Sequence, residues 1–141
     1  MKYVLDSNVA LKWVLPEIDS DKALRLRAGA QAGVHELLSP DVFPVEVAHA
    51  LTRAERKGDI PVGDADVHLL YILSTPPQFH PSLSMLHRAV AISSAARVGV
   101  YGCLYVALAE REKCELVTAD DKLVKKLQPS FPFIVSLSSL P

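Results

Sequence analysis

Twice in this chain a short apolar run stops at a polar, acid-bearing turn and passes into a helical pattern. Tyr3-Val4-Leu5 runs into Asp6-Ser7-Asn8, and Glu115-Leu116-Val117-Thr118 runs into Ala119-Asp120-Asp121. Runs this short and this apolar read as strands buried on both faces. A recurring strand, turn and helix predict a parallel sheet, because parallel neighbours can be joined only by a crossover long enough to hold a helix. The expected class is α/β, a sandwich with helices on both faces of a short central sheet. In such sheets ligands gather outside the carboxyl ends of the strands, which is where Asp6 and Asp120 fall.

Other punctuation fills in the order of elements. Val9 to Leu15, closed by Pro16, allows about two helical turns. Asp19 or Ser20 can cap a helix through Ala23, Leu24, Leu26 and Ala30 that Gly33 ends, and Leu37-Leu38-Ser39 is a candidate second strand. Pro44 opens a helix with Val47, Ala50, Leu51 and Ala54 at helical spacing, Glu46 in its first turn and Gly58 as its stop. Residues 64–73 form a further helix, ended by Pro76-Pro77. Ser82 or Ser84 starts another that breaks at Gly99, and Tyr105, Leu108 and Ala109 lie on one following Gly102. A basic helix spans Lys122 to Leu127, and Phe133-Ile134-Val135 reads as a last strand.

The 141 residues and 15.4 kDa suit one domain over residues 1–141. Fifteen Lys and Arg against 16 Asp and Glu leave a net charge of -1, so there is no global field to attract a polyanion, and any such contact must be local. Cys103 and Cys114 make neither a disulfide framework nor a zinc pattern, and the histidines at 35, 49, 68, 80 and 87 contain no HExxH pair. No glycine-rich phosphate loop is present. The most apolar stretch, 98–109, is shorter than the ~18–20 residues that span a bilayer. With an acid already at Asp6, no export signal can form at the N-terminus, so a cytoplasmic protein without a membrane span is expected.

Asp6, Asp120 and Glu46 can converge at one sheet edge. Carboxylates within ~4–6 Å raise one another's pKa, and a cation relieves the repulsion. Mg2+ or Mn2+ is the natural partner, since these ions prefer oxygen ligands, keep several waters and can activate one for attack on phosphate. Taken singly, the acids have simpler roles as helix caps or first-turn charges. Only their combination points to a metal.

Residues 4–13, from Val4-Leu5-Asp6-Ser7-Asn8 to Trp13, together with 39–51 around Pro44-Val45-Glu46 and 116–123 around Thr118-Ala119-Asp120, resemble the motifs of PIN-domain ribonucleases, most closely the VapC-type toxins. The resemblance implies a PIN-like three-layer α/β/α sandwich, metal-dependent endonucleolytic cleavage of RNA leaving a 5′-phosphate and a 3′-hydroxyl, a VapB-type antitoxin as partner, and a homodimer. By position, Asp6, Glu46 and Asp120 resemble the first, second and fourth acids of the family site and are the expected catalytic and metal-holding residues. Ser7 and Thr118 resemble hydroxyls that steady them.

The third acid is where the sequence departs from that pattern. The family has an aspartate straight after the tyrosine in the segment Tyr101-Gly102-Cys103, and this chain has Gly102. Glu110 lies too far along the helix to replace it. Catalysis is then expected to be weakened, and a PIN-fold module that binds antitoxin or RNA without cutting is the rival reading. Lys12, Arg53 and Arg56 flank the acids and are the expected RNA contacts, or else solvated helix faces. An aspartate-nucleophile phosphatase ranks last, because Asn8 stands where it would want a second acid.

Overall fold

The computed structural model describes residues 1–141. Five strands make one parallel sheet: β1 (Lys2–Leu5), β2 (Glu36–Pro40), β3 (Gln78–His80), β4 (Glu115–Thr118) and β5 (Ile134–Ser136), in the order β3-β2-β1-β4-β5. Val4 is in register with Leu38 on one side and Leu116 on the other. Val4, Leu5, Leu116 and Val117 are fully buried, as strands covered on both faces must be. Ser39 is buried among them because its hydroxyl donates to the Leu5 carbonyl at 2.6 Å.

Seven helices cover the sheet: α1 (Ser7–Leu11), α2 (Ser20–Gln31), α3 (Phe43–Lys57), α4 (Asp64–Leu73), α5 (Leu86–Ala96), α6 (Val100–Glu112) and α7 (Asp121–Leu127). From β1 through β2 to β3 the chain moves one way across the sheet, and from β3 to β4 and β5 it moves back the other way. Right-handed crossovers therefore place α1 to α4 on one face and α5 to α7 on the other, giving the three-layer α/β/α sandwich. The buried helix α6, from Cys103 to Ala109, lies against β1, β2 and β4. A single apolar cluster of 31 residues unites the layers. No single helix is long and apolar enough to cross a membrane.

Several elements depart from expectation. Strand β3 was not foreseen: it has three residues between Pro77 and Pro81, at the sheet edge, with Phe79 as its one apolar side chain. The first helix closes at Leu11, before Pro16. Asp19 precedes α2 but makes no side-chain cap. Helix α5 ends at Arg97, in the left-handed region at φ 59°, and Gly99 is the residue before α6. Gly102 thus lies inside the first turn of α6 and not at its cap. Gly58 does end α3 as expected, at φ 81°.

Candidate active site

Asp6 stands directly beyond β1, and its backbone N–H donates to the Val117 carbonyl of β4 at 3.1 Å. That bond ties the first acid to the strand that delivers the last. The carboxylate is almost fully buried and does not cap α1; its Oδ2 accepts from the Thr118 hydroxyl at 2.8 Å. Thr118 Oγ1 in turn accepts from the Asp120 N–H at 3.1 Å, and Asn8 Oδ1 accepts from the Ala119 N–H at 3.0 Å. The two acid-bearing turns are thus laced together. Burial, followed by the charges of Glu46 and Asp120, drives the Asp6 carboxyl up to about 7, against the Thr118 hydrogen bond that pulls it down.

Glu46 enters from the first turn of α3. Its Oε1 accepts from the Tyr105 hydroxyl at 2.7 Å. Burial raises its pKa, while the hydroxyls of Tyr105 and Ser7 draw it back. Tyr105 is itself buried, and burial together with the charges of Asp6 and Glu46 lifts its phenol far above the usual range, so it stays a proton donor to Glu46. This residue did not emerge from the sequence as functional. A tyrosine one turn beyond Gly102 inside an apolar run reads as core, and only the fold aims its hydroxyl at Glu46. Asp120 is exposed, and its Oδ1 caps α7 by accepting from the N–H groups of Lys122 and Leu123 at 3.0 and 3.1 Å.

Glu46 and Asp120 therefore both lie near enough for their charges to act on Asp6, with Ser7 beside Glu46 and Thr118 bonded to Asp6. Even so, no three His, Cys, Asp or Glu side chains come close enough to enclose an ion as a ready cage. The donor set, hard oxygens around a buried carboxylate repelled by two others, fits a Mg2+-type ion that takes one or two carboxylates and keeps most of its waters. Gly102 sits beside this site. A Cβ built there would come 3.0 Å from Leu123 Cδ1, so a side chain at 102 requires the end of Leu123 to shift.

The expected RNA contacts separate. Lys12 is buried, and its ammonium donates to the Ile18 carbonyl at 2.9 Å. Arg53 and Arg56 are exposed on α3; Arg53 lines a groove with His49 and Lys57, and Arg56 reaches back to Thr52. Glu110 forms a two-pronged ion pair with Arg88 at 2.7 and 2.9 Å, away from the acids. Trp13 belongs to the core, its indole N–H donating to the Ala23 carbonyl at 2.9 Å.

Residues 3–127 match the PIN domain family model, and the chain belongs to that family. It is similar to Ribonuclease VapC3 of Pyrobaculum aerophilum, with 32% identity over 138 residues, covering 96% of this chain and 99% of that protein. Its fold is that of the crystal structure of PAE2754 from Pyrobaculum aerophilum, at TM-score 0.74 and 18% identity over 99% of this chain and 85% of that one. A toxin-antitoxin complex from Klebsiella pneumoniae aligns at TM-score 0.65 and 16% identity, over 96% of this chain and 97% of that one. VapBC2 from Rickettsia felis, bound to a promoter DNA fragment, aligns at TM-score 0.63 and 15% identity over the same shares.

Proposed function

We propose that this chain is a VapC-type endoribonuclease, the toxin of a toxin-antitoxin pair, that hydrolyses RNA phosphodiester bonds with Mg2+ or Mn2+. The observation that carries this reading is the Asp6 carboxylate, buried beyond β1 with Glu46 and Asp120 bearing on it. A carboxylate in that setting costs stability unless a cation shares it. Asp6 and Asp120 would hold the ion, directly or through water, and Thr118 fixes the Asp6 carboxylate. Bound there, the ion would supply charge stabilisation at the phosphate. With Tyr105 occupying Oε1, Glu46 orients the attacking water and takes its proton on Oε2, while the bond from phosphorus to the 3′ oxygen breaks and that oxygen gains a proton from solvent. Ser7 and Tyr105 keep that carboxylate in one orientation. A groove of about 700 Å3, with Leu11, Val42, Val45 and Ala50 among its walls, gives substrate access to Glu46 and Ser7. A VapB-type antitoxin and a second copy of the chain are the proposed partners.

The test is RNA cleavage with added Mn2+, run beside Glu46→Gln. Metal-dependent cutting by the wild type and none by the variant supports the enzyme; no cutting by either removes it. A second reading is favoured by Gly102: a PIN module that binds antitoxin or RNA without cutting. Losing even an outer partner of a metal site costs ~10–100-fold in affinity or activity, so this site is proposed to be weakened at the least.

A further inference from the structure

A second cleft, of about 280 Å3, lies between the turn from α5 to α6 and the start of α7 and shares no lining residue with the Glu46 groove. Arg97, Lys122 and Lys126 line it, with Asp120 as its one acid and Gly102 in its wall. Three positive side chains therefore face one negative. None of the three takes part in an ion pair. The only hydrogen bond made by any of their side chains is from the Lys126 ammonium to the Arg97 carbonyl, at 3.3 Å. The helix dipole does not account for the placement of Lys122. Lys122 lies in the first turn of α7, where a cation opposes the helix dipole. Arg97 ends α5 in the left-handed region, at φ 59°. Gly102 helps keep the cleft open, because a Cβ there would press on Leu123.

We infer that this cleft is a backbone-phosphate subsite: Arg97, Lys122 and Lys126 hold a phosphate of single-stranded RNA next to the one at the acids. The inference rests on the ribonuclease reading and adds a direction to it, since the strand then crosses Asp120 from the Glu46 groove towards α7. A chain of net charge -1 has no other means of drawing a polyanion than such a local cluster. Phosphate contacts of this kind release counterions, so log K falls with log salt by ~0.7 per contact on a single strand.

Fluorescence anisotropy of a labelled single-stranded RNA of mixed sequence, in EDTA so that nothing is cut, reads this directly across a salt series. Arg97→Asn keeps a residue that tolerates the left-handed turn, and Lys122→Gln and Lys126→Gln keep side-chain length. The triple variant is expected to lose about 2 from the salt slope and roughly tenfold or more in low-salt affinity. Lys125→Gln, one residue outside the cleft, is expected to change neither. If the triple variant does not fold, each single variant is expected to lose ~0.7 from the slope. A wild-type slope retained by the folded variants overturns the subsite; Mn2+-dependent cleavage of the same RNA then shows that the ribonuclease reading survives. Wild-type protein that neither binds nor cuts the RNA overturns both.

Discussion

Burying a carboxylate without a compensating charge is costly, and Asp6 meets that cost beside two further acids. Its ordinary value of 3.8 rises to about 7 in the fold. Between those values the native state binds a proton that the unfolded chain has lost, so stability falls as pH rises through that window and stays lower above it. Thermal melts of the metal-free protein should show a lower Tm at pH 8 than at pH 5. Asp6→Asn, whose amide oxygen can still accept from Thr118, should flatten that difference and melt higher at pH 8. A wild-type Tm that is level or rises over this range contradicts the burial account. Tyr105→Phe takes away the hydroxyl that donates to Glu46 Oε1 and so lets the Glu46 pKa climb. The acidic limb of a cleavage pH profile should move to higher pH with KM little changed; an unmoved limb means that Tyr105 only packs. Gly102→Asp should increase cleavage at matched Mn2+ once the tip of Leu123 rotates away. Unchanged activity would mean that the missing acid is not what limits the site.

Helix α2 shows how packing reverses a propensity. Replacing a mid-helix glycine by alanine ordinarily gains up to ~1 kcal/mol. At Gly29, however, the new Cβ would lie 2.2 Å from Cδ2 of His35, whose ring packs edge-on against Tyr3. Overpacking of this kind costs ~1–3 kcal/mol, so Gly29→Ala should lower Tm by several degrees, and a raised Tm would show that His35 moves freely. The elements legible in the sequence were those whose own residues decide them. β1 and β4 announce themselves as apolar runs that stop at acids, and α3 by Pro44, its apolar spacing and Gly58. β3 was illegible because its pairing with β2 is a tertiary fact written in three residues. The α5 stop was misplaced because Arg97, not a glycine, takes the left-handed turn. At the site, the three acids were legible from their positions at strand ends and in a helix's first turn. Tyr105 was hidden in an apolar stretch, and nothing in the local sequence says that the Lys12 stem folds inward to Ile18.

Across the whole molecule, the reversal in strand order brings these parts together. The chain runs outward from β1 to β3 and returns to β4, so the ends of β1 and β4 open onto the switch point where the two helical layers diverge. α3 delivers Glu46 from one layer, and α6 delivers Tyr105 from the other to meet it. Glu46 lines a largely apolar groove, and Asp120 a basic cleft. The proposed cleavage depends on a single divalent ion held at that switch point. Crystals grown with Mn2+ and measured by anomalous scattering should show one ion bonded to Asp6 at ~2.0–2.2 Å, with waters completing its shell and Asp120 bound directly or through one of them. Crystals at saturating Mn2+ with no ion at Asp6, from protein that still cuts RNA, would contradict it.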